Sequence, residues 1–543
     1  MKKNIKRILF LAVLALGFNS CETTELEILE SPNVLRPDQA DVDFFLNSMQ
    51  ISASTFFEQI TEEGMEVTRI LHQAGPTYDN GYGPAQLDAP YTTAYAGILA
   101  DNRAMAPLAE ELGLFTHIAI GQIIEAYTIA TMVDYLGDVP YSEAILGLEN
   151  ENPNLDSGQA VYDEMFALLD SAIANLNATS TGEPAVDLYY DGDTDNWIRF
   201  ANTLKIKLFL QTRLVNATAS TTGINEILAS GNYIVSADQD FQFQYSSVDA
   251  NPDSRHPIFS RNFDNGVTDY QSNSFMDVLL NGKSAPDPRI RYYFYRNRSN
   301  ASTDPNALPC ITETAPAHYP AGTVFCVAGQ GYNGRDHHDN DGIPPDEADR
   351  TDWGVYPIGA RFDDNSFDGT NDRTVGAQGA GISPIMLSSY VDFMLAEAAL
   401  ELGTTGDART YLEAGLTKSF AKVMNFRPDL TDAALAPTAL DVQDYIDEVL
   451  GNYDTAADDD ERLEIIVQEY FIALYGNGIE AYNTYRRTGK PENLQPSLLA
   501  NPGVYIRSFL YPSVLVDRNS NVDQKANQAS PVFWDTNPEG FVD

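Results

Sequence analysis

Three cysteines in 543 residues are too few for a zinc cluster or a disulfide-stapled scaffold. Basic residues are scarce: 33 Lys and Arg stand against 78 Asp and Glu, a formal net charge of -45. That balance excludes a nucleic acid or an anionic membrane surface as the main partner. The signatures of common catalysis are missing, since there is no H-E-x-x-H, G-x-S-x-G, P-loop or C-x-x-C. The six histidines are scattered, and only His337 and His338 adjoin. No stretch of 18 uninterrupted apolar residues occurs, so a spanning helix is not expected. Tryptophan is rare too, 3 against 29 Tyr and 26 Phe. What the chain does have is enough apolar side chain, 43% with 11% aromatics, to bury a sizeable core and to exclude disorder of the whole chain.

The start reads as an address. Lys2, Lys3, Lys6 and Arg7 precede the short apolar run Ile8 to Phe18, the pattern of an export signal. Cys21 follows the small Ser20. Residues 1–20 are therefore expected to be a lipoprotein signal peptide, with Cys21 acylated; the alternative is an ordinary secreted chain in which Cys21 is incidental. Residues 21–41, acidic and interrupted by Pro32 and Pro37, read as a tether. The mature protein would then meet a membrane only through its lipid.

From residue 42 on, the pattern is mainly α. Met165, Leu168, Leu169, Ala172, Ile173 and Leu176 recur with helical spacing, as do Leu463, Ile466, Val467, Tyr470, Phe471 and Leu474. Trp197 to Leu208 is a looser case, with Asp195 or Asn196 as N-cap. Ile118 to Leu136 is apolar on more than one face, as a sandwiched helix would be. A helix over Ile385 to Leu402, closed by Gly403, is followed after a short turn by another over Gly406 to Phe420. Such hairpins resemble tetratricopeptide units, which bury their apolar faces only by stacking. Residues 235–381 differ, being rich in Asp, Asn, Gly, Pro and aromatics. They read as a loop-rich lobe with short strands at Phe241–Tyr245 and Arg291–Tyr295, and long loops are usually functional. The expected architecture is a single domain over 42–543: a helical scaffold at about 42–234 and 382–543, carrying the lobe.

Several phrases recur in a definite order. Gly137-Asp138-Val139-Pro140-Tyr141-Ser142-Glu143-Ala144 follows the long apolar helix. Trp197 to Lys205, Asp287-Pro288-Arg289, Gly334-Arg335-Asp336-His337-His338 and Gly342-Ile343-Pro344-Pro345-Asp346 come next. Trp353-Gly354-Val355-Tyr356-Pro357, Asn477 to Tyr482 and Tyr485-Arg486-Arg487-Thr488-Gly489 complete the set. With the lipoprotein start, this ordered set resembles the SusD/RagB-like nutrient-binding outer-membrane lipoproteins, in particular those with a GRDH…GIPPD loop. The resemblance implies a tetratricopeptide-like scaffold with a ligand-holding loop lobe. It also implies an outer-membrane, cell-surface location and a SusC-like TonB-dependent barrel as partner.

Three groups of residues are candidates for chemistry. The ligand, an oligosaccharide or oligopeptide, is expected on aromatic loops: Tyr78, Asn80, Tyr82 and Tyr91 in one, Tyr332, Trp353 and Tyr356 in the other. Gly81, Gly83, Gly331 and Gly354 would give the backbone freedom to present rings. Packing of these rings in the interior is the competing reading. Asp336, Asp339, Asp341 and Asp346 surround Gly342, and a hard cation such as Ca²⁺ takes six to eight oxygens. Asp339, Asp341 and Gly342 fit an EF-type order, but His337 and Ala348 fall where ligands belong. The alternative is an acidic turn held by Arg335 and Arg350. Cys310 and Cys326 share one exported loop and are expected to bridge; otherwise they are buried thiols. No other cofactor is implied. For one of Arg486 and Arg487, pairing with a buried Glu397 or Glu480 is the structural option. The leading function is capture of a nutrient oligomer without turnover. A secreted glycan-degrading enzyme and a helical scaffold for protein–protein contact are the alternatives.

Overall fold

The stretch that is apolar on more than one face is a helix packed among four others. In a computed structural model, residues 41–542 are described apart from 76, 265–269, 343, 360 and 369–372. The signal peptide, Cys21 and nearly all of the tether lie outside the described residues. Val42–Asp543 forms one compact unit. Its long helices are α1 (Val42–Val67), α2 (Ala100–Leu112), α3 (Phe115–Leu136), α4 (Gly158–Leu176), α5 (Thr194–Gln211) and α6 (Ala217–Ser230). After strand β1 (Phe241–Gln244) come α7 (Pro257–Asp264) and α8 (Asn273–Asn281). Strand β2 (Ile382–Met386) leads into α9 (Ser388–Leu402), α10 (Ala408–Met424), α11 (Ala439–Thr455), α12 (Asp459–Ala473) and α13 (Gly478–Thr488). Among the described residues no helix is long and apolar enough to cross a membrane.

Every residue of α3 from Thr116 to Leu136 except Gln122 is buried. The helix is covered by α1, α2, α4 and α5, which is why its sequence lacks a polar face. Truncating a core residue such as Ile129 would cost ~2–5 kcal/mol. The helices α5–α6 and α9–α10 pack as neighbours through short connections, and α3–α4 pack together across the longer segment 137–157. Gly137, at φ +81°, ends α3. Asp138 does more than shape that turn: its carboxylate accepts the backbone N–H of Gly158, 2.8 Å away, at the start of α4.

The scaffold buries charge and pairs it. Arg487 donates to both oxygens of Glu397 at 2.7 Å, and Arg213 donates to Glu397 at 3.0 Å. Lys207 lies between Asp134 and Glu480, at 3.4 and 3.2 Å. Trp534 Nε1 and Asn483 Nδ2 also donate to Asp134. This network ties α3, α5, α9 and α13 together. Buried charges are retained only when paired in this way.

Three local expectations change. The N-cap of α5 is Asp193, whose side chain accepts the Asn196 N–H at 3.1 Å; it stands one helical turn before Asn196, as capping requires. Ile382–Met386 is a buried strand paired antiparallel with β1, so the helix begins only at Ser388. Ile382, Ile385 and Met386 stand at i, i+3 and i+4, a helical spacing that means little over so short a run. Arg291–Tyr295 is not a strand: Ile290–Tyr293 is a helical turn, and Tyr295 makes a lone bridge to Asp352. The lobe also contains two helices, α7 and α8, that its composition hides.

One contact fixes the position of α1. Gly64 and Gly478 pack backbone to backbone, so a Cβ on Gly64 would lie 2.2 Å from the Gly478 carbonyl oxygen. Gly478 N–H also donates to the Thr61 hydroxyl at 2.7 Å. Only glycine permits this approach.

Candidate functional site

The aromatic loops point inward. Tyr78, Tyr82, Tyr332, Trp353 and Tyr356 are all 2% exposed or less. Arg69 donates to the Tyr78 hydroxyl at 2.7 Å, and that ring packs edge-on against His338 and Tyr505. The Arg296 guanidinium covers Tyr332. Tyr356 packs on Tyr293. The glycines explain the difference. A Cβ on Gly331 would sit 2.0 Å from the Arg298 carbonyl oxygen, and one on Gly354 2.9 Å from that of Gly359. They permit close backbone packing, which draws the neighbouring rings into the core rather than presenting them. Asn80 is exposed and Tyr91 half-buried, its ring stacked on Tyr95.

The four aspartates line one small cavity of about 20 Å³, room for at most a single water. Asp336 is saturated: Gln495 Nε2 and Asn273 Nδ2 donate to Oδ1 at 2.7 and 3.1 Å, and Cys326 N–H to Oδ2 at 2.7 Å. Asp346 accepts from Tyr270 and lies 3.9 Å from Arg350. The cation among them is Arg335, 3.8 Å from Asp339 and bonded to the Gly342 carbonyl. Burial pushes Asp336, Asp339 and Asp346 above the usual carboxylate range. Among the described residues no three His, Cys, Asp or Glu side chains converge as metal ligands. Asp336, Asp339 and Asp346 are thus engaged by protein groups within the acidic turn. Beside it, Cys310 and Cys326 are joined as a disulfide with Cα atoms 5.5 Å apart.

The large concavity lies elsewhere, along α1. It is a cleft of about 930 Å³, within the range of ligand sites. Leu46, Met49, Ala53, Phe56, Phe57 and Ile60 bury one face of α1. The opposite stripe, Ile51, Thr55, Glu58, Glu62 and Glu66, recurs at i, i+4, i+7, i+11 and i+15 and forms one wall. Phe243 and Tyr245, with the loop from Ser246 to Ser254, form the other. Gln86, Ala89 and Pro90 close one end, and Arg255, Ile258 and Arg261 a second side. Phe243 and Tyr245 are half-buried and stand edge to face at 5.0 Å. The Tyr245 hydroxyl is held by Ser54 at 2.7 Å.

Charge in the cleft is graded. Arg255 is paired with Asp253 at 2.7 Å, and Arg261 grips Glu62 through two hydrogen bonds of 2.9 and 3.0 Å. Glu58 accepts from Ser383 at 2.6 Å and faces His256 Nε2 at 3.3 Å. Tyr82 donates to Glu66. Glu63 lies on the floor, where burial and the neighbouring Glu62 push its carboxyl up to about 8. Five carboxyl groups thus face two arginines, both engaged, so an anionic ligand is disfavoured. The aromatic-loop expectation missed this wall. Three glutamates in step on a helix otherwise destined for the core were its visible signal.

A family model described as "Starch-binding associating with outer membrane" matches residues 39–308. A second, "Susd and RagB outer membrane lipoprotein", matches residues 375–530. None of the curated proteins compared matches the chain. Among solved structures, a chitin-binding SusD homolog from Flavobacterium johnsoniae superposes with a TM-score of 0.62 at 21% identity, covering 92% of this chain and 99% of that one. A SusD-like protein from Bacteroides thetaiotaomicron VPI-5482 gives 0.64 at 19% identity, with coverage of 92% and 99%. A SusD homolog from Bacteroides fragilis NCTC 9343 gives 0.64 at 20%, again covering 92% and 99%. At these identities the superpositions establish the shared, mainly helical fold. The two family models, spanning both helical portions of the scaffold, establish the relationship: the chain belongs to the SusD/RagB-like outer-membrane lipoproteins, a nutrient-binding family.

Proposed function

We propose that this protein captures a nutrient oligomer, an oligosaccharide or oligopeptide, in the cleft along α1 and passes it to a SusC-like TonB-dependent barrel. Cys21 carries the lipid that holds it at the cell surface, and the chain binds without turnover. The observation that carries the reading is the cleft. Its size suits several residues of an oligomer, and it offers two aromatic rings, amide and hydroxyl groups and a row of carboxyl groups. A sugar ring has apolar CH faces and polar edges, and a peptide has apolar side chains and backbone amides, so both classes match such walls. The description of one family model as starch-binding and the chitin-binding neighbour support the glycan side.

The test is a glycan-and-peptide array on the soluble chain from residue 22, followed by calorimetry of the best binder. Phe243→Ala should weaken that binder about tenfold, corresponding to ~1–2 kcal/mol of ring contact. The circular dichroism spectrum should not change. Absence of any binder, or release of a cleaved product from one, would overturn the capture reading.

A further inference from the structure

At one end of the cleft, on the floor beneath the stripe of α1, is a buried carboxyl group whose hydrogen bonding is incomplete. Glu63 is 5% exposed. Its Oε1 accepts from Gln86 Nε2 at 2.9 Å. Its Oε2 is buried and has no hydrogen-bond partner among the described residues. Leaving a buried polar atom unpaired costs ~1–3 kcal/mol, and such exceptions call for an explanation. Gln86 already turns its donor toward Oε1. The hydroxyl of Tyr135, which lies against Gly64, is itself buried and unpartnered. Tyr82 spends its proton on Glu66. Ionised, Oε2 needs a donor and protonated it needs an acceptor; the described residues supply neither.

We infer that this end of the cleft is an amine subsite, in which Glu63 and Glu66 receive a protonated primary amine carried by the bound oligomer. The inference rests on the capture reading and narrows it. An ammonium group brings three donors and no acceptor, which matches a place where acceptors are in excess. Arg261 is held by Glu62 through two bonds, and its charge only partly offsets the burial of Glu63, whose carboxyl still rises. A neutral hydroxyl would supply one donor and no charge. Charge-assisted hydrogen bonds are also about twice as strong as neutral ones.

Proton linkage follows. The groups facing Glu63 are Glu62 and Glu66 from α1, Arg261 from α7, Tyr82 and Gln86 from the segment after α1, and Tyr135 from α3. Burial and Glu62 keep the empty site protonated near neutrality, with the carboxyl pushed up to about 8. An ammonium on Oε2 favours the carboxylate, so the proton leaves to solvent as the amine binds.

The amine has two sources, an amino sugar or a peptide, and two probe pairs separate them. One is a glucosamine hexamer against its fully N-acetylated counterpart. The other is a lysine-bearing glycine hexapeptide against the same peptide with its amines acetylated. In at least one pair the amine form should bind about tenfold more tightly than the acetylated form, as one charge-assisted contact allows. Glu63→Gln and Glu66→Gln should each reduce that ratio below about threefold. Glu63→Gln copies the shape of the protonated side chain, so folding is preserved. For the lysine peptide at pH 7, calorimetry in buffers of different ionisation enthalpy should show release of about one proton, absent in Glu63→Gln. Equal or tighter binding of both acetylated probes overturns the inference while leaving capture intact. So does a binder from the array that carries no amine and is weakened by Phe243→Ala. If no oligomer of any kind binds, capture falls, and the inference with it.

Discussion

Glu397 and Glu63 are the same residue in opposite circumstances. Both stand on long helices and both are buried, at 1% and 5% exposure. Glu397 in the scaffold receives three hydrogen bonds from the guanidinium groups of two arginines, and Arg487 above all holds it below the usual range despite its burial. Glu63 in the cleft receives one glutamine and rises to about 8. Burial alone therefore decides nothing; the partner decides. The scaffold uses buried carboxylates to lock helices together. The cleft keeps one that is incompletely satisfied, at a cost to stability.

The comparison is broken most severely at Glu397. Glu397→Gln leaves Arg487 and Arg213 buried without that counter-charge. Urea unfolding should show a loss of ~3–5 kcal/mol. A loss below ~1 kcal/mol would mean the network is no better than surface pairing.

Titration sharpens it. For Glu63 the native pKa lies above the unfolded one, so between about 4.5 and about 8 the native state holds a proton the unfolded state has lost. Its contribution to stability is full below 4.5 and falls as pH rises across that window, by at most ~1.4 kcal/mol per pH unit. Glu63→Gln should flatten this limb of the urea-midpoint profile. Glu397 has the opposite sign. Its contribution is present at neutral pH and is lost on the acid side, as pH falls through its lowered native pKa. An unchanged neutral limb in Glu63→Gln would contradict the assignment.

The smallest effect is expected at the acidic turn. Asp341 is exposed, and Arg335 is the cation of its neighbourhood. Asp341→Asn should change stability by less than ~0.5 kcal/mol, and calcium should leave the melting temperature of both proteins unchanged. A calcium-dependent rise that Asp341→Asn abolishes would show that a metal displaces the arginine.

The sequence discloses the scaffold better than the site for a physical reason. Long helices repeat their apolar spacing many times, so α3, α4 and α12 are legible as helices, although α4 begins at Gly158, two turns before the spacing read from Met165. Ile382–Met386 is five residues long, too short for a period to assert itself. Arg487 pairs with Glu397 as charge and burial require. The rings of Tyr78, Tyr332 and Trp353 mislead because glycine has two uses, and composition does not say which applies beside Gly331 and Gly354. The cleft itself was open to reading in Glu58, Glu62 and Glu66. Its second wall, from Phe243 to Arg261, comes from far along the chain and acquires meaning only when β1 pairs with β2.

The glycine-to-glycine contact of α1 with α13 has a consequence for biogenesis. An exported chain emerges N-terminus first, so the acidic stripe around Glu62 reaches its compartment long before Gly478. Until α13 arrives to dock on Gly64, the C-terminal half of α1 lacks its backbone-to-backbone neighbour beside Glu63. A chain interrupted just before residue 478 would keep α1 to α12 yet lack the backbone that packs against Gly64 and the N–H that engages Thr61.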